Sequence, residues 1–119
     1  MKSKTILHCL LFLCLSFFLT GCTSSFHKTQ IAFGIKAAQD SLWDEAIFRW
    51  KKVANTNPKS VAAHNNLAVA YEKKGLLEDA EKEYRIAEKL DPNNKYVQSN
   101  YEKFKKRYKK EKKDGDEKN

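Results

Sequence analysis

The side chains best suited to covalent chemistry are three cysteines, Cys9, Cys14 and Cys22. A thiolate is both a strong nucleophile and a metal ligand. Cys9 and Cys14 lie within Ile6 to Leu19, an almost wholly apolar run preceded by Lys2 and Lys4. That layout directs export and is then removed. Cys22 follows Thr20 and Gly21, small residues that let a scissile backbone enter a narrow protease site. If the segment is cut ahead of Cys22 and its thiol takes a lipid, no thiol is left for a disulfide, a metal or nucleophilic catalysis. His27 and His64 have no carboxylate or thiol at metal-ligand spacing, so they are read as surface residues, and no metal site is expected. The sequence contains no phosphate-cradling glycine loop, no Gly-x-Ser-x-Gly and no His-Glu-x-x-His. Asp44, Glu45, Glu78 and Asp79 open predicted helices, where they complement the helix dipole. Nothing here points to an enzyme.

The apolar run ends at Leu19, short of the roughly 20 residues that a membrane-crossing helix needs. Leu19-Thr20-Gly21-Cys22 resembles the lipobox of bacterial lipoproteins, whose cysteine receives a diacylglycerol before the preceding bond is cut. The resemblance implies a cleaved signal peptide over 1–21, a lipidated N-terminus and short linker over 22–26, and no cofactor beyond covalent lipid on Cys22. Two acyl chains suffice for stable anchoring at about 0.8 kcal/mol per buried methylene. Thr23, not an acidic residue, follows the cysteine. In lipoproteins of this kind that implies an exported protein anchored at the outer membrane and facing the periplasm.

The elements that would carry any site are helices. From Cys22 onward there are two prolines, Pro58 and Pro92, and no strand-like alternation, so the expected class is all-α. The interval from Pro58 to Pro92 recurs along the chain: it links Phe33 to Leu67, Gly34 to Ala68, Ala46 to Ala80, Trp50 to Tyr84 and Val53 to Ala87. Small residues at 34, 46, 68 and 80 would let helix axes approach closely. Leu67, Tyr71, Leu77, Tyr84 and Leu90 would form a core with Phe33, Leu42, Ile47 and Trp50. Gly75 supplies a positive-φ helix end, and the prolines stop the second helix of each unit. Helices are predicted at 26–39, 43–55, 60–73, 77–90 and 94 to about 112.

In residues 61–94, Leu67-Ala68, Tyr71, Gly75, Ala80, Tyr84, Ala87 and Asp91-Pro92 resemble the tetratricopeptide repeat (TPR). Residues 27–60 resemble a degenerate copy, with Ala37 in place of the tyrosine and Ser41 in place of the turn glycine. The resemblance implies two TPR helical hairpins in a short right-handed solenoid. A C-terminal capping helix over 95–112 would follow, with Val97, Tyr101, Phe104 and Tyr108 on one apolar stripe, and then a disordered charged tail over 113–119. Two hairpins are few for a repeat array, and the first helix is expected to leave Phe26, Phe33 or Ile35 partly uncovered.

Peptides bind members of the resembled family along the first helix of each repeat. Carried over by position, that surface is Lys28, Ile31 and Ile35, flanked by Ala38, with Asn65, Asn66, Val69 and Glu72 and the neighbouring Ala62. An amide at Asn66 can donate to and accept from a peptide unit at once. Ile31 and Ile35 stand where a terminal-carboxylate clamp would need polar groups, so no such clamp is expected. Net charge is concentrated elsewhere: residues 95–119 carry ten Lys/Arg against five Asp/Glu, while 22–94 carry eleven against ten. Lys103, Lys105, Lys106, Arg107, Lys109 and Lys110 form a basic patch. Such a patch suits a solvated helix back, or anionic lipid or a wall polymer. Export argues against nucleic acid as a partner. The expected function is a membrane-anchored adaptor for protein partners of an envelope complex; the alternatives are a self-associating structural protein and a peripheral binder of anionic lipid or wall polymer.

Overall fold

A computed structural model describes residues 24–116, with side chains described to residue 113. Cys22, the segment 1–21 and the end of the tail lie outside the described residues. Among the described residues five helices follow one another: α1 over 24–39, then α2 (Trp43–Thr56), α3 (Val61–Lys73), α4 (Leu77–Leu90) and α5 (Lys95–Asp116). The described residues contain no strand. The first helix starts two residues earlier than predicted, and Thr29 Oγ1 donates to the Ser25 carbonyl 2.9 Å away in its first turns. The last helix runs to Asp116, past the predicted end at 112.

The chain reverses direction twice by the same device. After α1, Leu42 N–H donates to the Ala37 carbonyl (2.8 Å) and Ser41 N–H to Ala38 (3.0 Å); after α3, Leu76 donates to Tyr71 (2.9 Å) and Gly75 to Glu72 (3.2 Å). These are Schellman helix ends, which satisfy carbonyls that the helix leaves without partners. Each turn then opens a helix with acidic residues in its first turn, Asp44 and Glu45 in α2 and Glu78 and Asp79 in α4. The other junctions also repeat. Ser60 Oγ accepts from Ala63 N–H, and Asn94 Oδ1 accepts from Val97 N–H, both at 3.3 Å. Ser60 and Asn94 are N-caps separated by the repeat interval, each just before an α-helix.

Helices neighbouring in sequence pack together: α2 on α3, α3 on α4, and α5 on both α3 and α4. Ala46, Ala68 and Ala80 are fully buried. Gly34 is buried too, and a Cβ added there would run into the Trp50 indole. The same indole donates from Nε1 to the Ile31 carbonyl at 3.2 Å, which fixes α2 across α1. Trp50, Leu67, Tyr71, Tyr84, Tyr101 and Phe104 fill the core. Tyr84 carries α5, with its ring 5.3 Å from those of Tyr101 and Phe104.

Two predicted core residues, Leu42 and Leu90, are instead exposed, and Phe33, placed in the core by its repeat position, is uncovered as expected for the first helix. Leu42 sits at the turn after α1, where its backbone, not its side chain, closes the helix. Leu90 is the last residue of α4 and is exposed there. Phe33 is 54 % exposed, whereas Leu67, its counterpart one repeat later, is 1 % exposed. Leu67 lies on a helix covered by α2, and α1 has no such helix before it among the described residues. Leu77 and Ile47 are half-buried beside the core.

Candidate functional site

Asn65 and Asn66 leave the middle of α3 on the side facing the start of α5. Asn100 of α5 donates from Nδ2 to Asn65 Oδ1 at 3.1 Å, and Asn65 Nδ2 lies 3.4 Å from Asn66 Oδ1. The three amides form a row from α5 to α3. An amide chain of this kind leaves donor and acceptor capacity at its ends. Beside it an open pocket of about 320 Å³ is lined by Val61, Ala62, Asn65, Asn66, Asn94, Tyr96 and Val97. Tyr96 is 82 % exposed on its rim, while Val97 is buried and supplies an apolar floor. A larger open hollow, about 550 Å³, surrounds the first turn and is lined by Leu42, Trp43 and the charged Asp44, Glu45 and Lys74. It holds no amide side chain.

The carried-over groove therefore divides. Asn65 and Asn66 line the pocket, but Lys28, Ile31 and Ile35 do not, because the pocket is built one helix further along, between α3 and α5. Ile31 and Val69 are half-buried against the core; Lys28 and Ile35 are exposed on α1. Glu72 is committed internally. Tyr84 donates its hydroxyl to Glu72 Oε2 at 3.0 Å, and Arg107 pairs with the other carboxylate oxygen. Burial pushes the Tyr84 phenol up to about 12, because an ionised oxygen would lose its water there. Glu72 is thus a tie between α3, α4 and α5.

The basic patch divides as well. Arg107 is held by Glu72, and Lys105 pairs with Glu102 at 2.5 Å while lying 4.5 Å over the Tyr101 ring. That ion pair holds the Glu102 carboxyl below its usual range. Lys103, Lys106, Lys109 and Lys110 are exposed on α5.

His64 corrects a sequence expectation. It is buried, not on the surface, with Nδ1 2.6 Å from Glu83 Oε2 and Nε2 2.9 Å from the Pro58 carbonyl. A carbonyl only accepts, so Nε2 carries a hydrogen, and one proton lies between Nδ1 and Glu83. Glu83 is 19 residues from His64 in sequence, and only the α3–α4 hairpin brings it there. The first hairpin repeats the contact in other residues: Arg49 donates to Gln30 Oε1 at 3.3 Å. His27 instead meets Thr56 Oγ1 at 2.9 Å. No group of three metal-ligating side chains occurs among the described residues.

Asn94, Tyr96 and Asn100 are pocket or amide-row residues that the sequence reading missed. The available signal was the repeat interval, since Asn100 lies one interval after Asn66 and Tyr96 one interval after Ala62. A family model described as a domain of unknown function (DUF6340) matches residues 33–114, more than half of the chain. The chain belongs to the DUF6340 family. The DUF6340 match takes in the second half of α1 from Phe33, all of α2 to α4, and nearly all of α5, so the amide row and its pocket lie inside it. No curated protein matches the chain significantly. Among the described residues, no helix is long and apolar enough to cross a membrane.

Proposed function

We propose that this DUF6340 chain is an adaptor, two TPR hairpins in a right-handed arrangement with α5 as cap, tethered to the cell envelope through lipid on Cys22 and holding a segment of a partner protein between α3 and α5. The observation that carries this reading is the amide row Asn66–Asn65–Asn100 beside an open pocket that mixes aliphatic and amide side chains, with Tyr96 on its rim. Side-chain amides match the alternating donors and acceptors of a peptide backbone, and an exposed tyrosine supplies apolar contact at low entropic cost. The partner segment is extended or helical with a few apolar anchors. The outer membrane, facing the periplasm, is the proposed location.

A photo-crosslinking amino acid at position 96 of the full chain, in its own membranes, tests the reading. The expected result is a discrete adduct with another envelope protein that Asn66→Ala weakens several-fold. Absence of any adduct, or an adduct that Asn66→Ala leaves unchanged, would refute the groove. An adduct only with a second copy would replace the adaptor with self-association.

A further inference from the structure

The open end of the helix stack carries a face that the adaptor reading does not use. Phe26 and Phe33, two helical turns apart on α1, and Phe48 on α2 are all exposed. Two cations thread between them. The Arg49 guanidinium lies 5.6 Å from the Phe33 ring centre and 5.9 Å from that of Phe48, and Lys52 Nζ lies 5.2 Å from Phe26. Exposed aromatic rings interleaved with Lys and Arg suit the boundary between headgroups and acyl chains, where rings enter the apolar layer and cations meet phosphates.

The position of the face selects the occupant. α1 begins at Ser24, two residues after Cys22 in the sequence, a separation that the chain can span with about 7 Å of extended backbone at most. Phe26 is in the first turn. A second copy fits less well. Symmetric packing of this face on itself would place both copies of Arg49 and Lys52 in one interface, and the nearby anion, Glu45, already holds Arg49 at 2.6 Å. Desolvating like charges without new partners is costly. We infer that Phe26, Phe33 and Phe48, with Arg49 and Lys52, seat the folded domain on an anionic lipid surface, so that the bilayer covers the end of the stack where no helix precedes α1 among the described residues. The inference rests on the reading that the chain is anchored at Cys22.

The test uses the full chain reconstituted in vesicles of phosphatidylethanolamine and phosphatidylglycerol with brominated acyl chains. Phe33→Trp and Phe48→Trp place fluorophores on the face without removing its apolar character, and Tyr96→Trp places one at the pocket. With the wild-type signal subtracted, the added fluorescence at 33 and 48 is expected to fall by about half or more through contact quenching by the lipid tails, and that at 96 to persist. Replacing phosphatidylglycerol by phosphatidylcholine should weaken the quenching. Retention of the protein after an alkaline wash, without quenching at 33 and 48, overturns the lipid-facing surface while leaving the anchor intact. Release by the wash overturns the anchor and this inference with it. Cross-links through position 33 to a second copy or another protein, without quenching, assign the face to that partner and also overturn it.

Discussion

Ser41 and Gly75 occupy the same left-handed turn position in successive hairpins, with φ of 60° and 73°. The hydrogen bonds around them match, so the helix end, not the residue type, sets the conformation. A side chain with a Cβ is strained there, by about 1–2 kcal/mol. Glycine relieves that strain but loses more chain entropy on folding.

Ser41→Gly is therefore expected to stabilise the fold by about 0.5–1 kcal/mol. Gly75→Ala, where a Cβ would have open space, should cost about 1 kcal/mol from backbone strain alone. Urea unfolding of the two variants checks this. Equal and small effects at both positions would show that the turn relaxes to another conformation.

The buried His64–Glu83 contact should be strongly coupled. Either His64→Ala or Glu83→Ala leaves a buried polar partner behind, at about 1–3 kcal/mol each. The double variant should cost less than the sum, because it removes both groups together. A double-mutant cycle measures this coupling. The corresponding cycle on Gln30 and Arg49, joined at 3.3 Å in the first hairpin, should give a smaller coupling, since a longer neutral-acceptor bond at a part-buried site is weaker.

Tyr84 predicts alkaline sensitivity. Its phenol is raised from 10.0 to about 12 by burial, so the folded state holds the proton more tightly than the unfolded chain. The sign follows: the contribution is fully present below pH 10 and is lost as pH rises from about 10 to about 12, up to about 3 kcal/mol. Tyr84→Phe removes the hydroxyl and should flatten that part of the stability profile, while costing about 1 kcal/mol at neutral pH through the lost bond to Glu72. Denaturation midpoints across that range, compared between the two proteins, provide the check. Parallel profiles would sink the assignment.

How far the sequence reaches differs between elements. The constant repeat interval and the placement of Gly34, Ala46, Ala68 and Ala80 determined where helices lie and where their axes come close, because helix periodicity and small-residue contacts are local signals. The stripe Val97, Tyr101, Phe104 and Tyr108 likewise identified the covered side of α5, and Val97, Tyr101 and Phe104 are buried. Phe33 was legible only from its place on the first helix of the array, not from its period. Its pattern position is that of buried Leu67, and its exposure depends on whether a preceding helix exists to cover it.

The same division holds at the candidate site. In the sequence, Asn65 and Asn66 stood out through their positions in the resembled tetratricopeptide repeat, a signal that is read one element at a time. Only the packing of α5 against α3 brought Asn100 to Asn65 and opened the pocket beside Tyr96, and only the packing of α4 and α5 on α3 tied Glu72 to Tyr84 and Arg107. Those relations join residues 12 to 35 positions apart. Periodicity within one helix carries no information about which side chain of the next will face it; the angle and register of packed helices decide that.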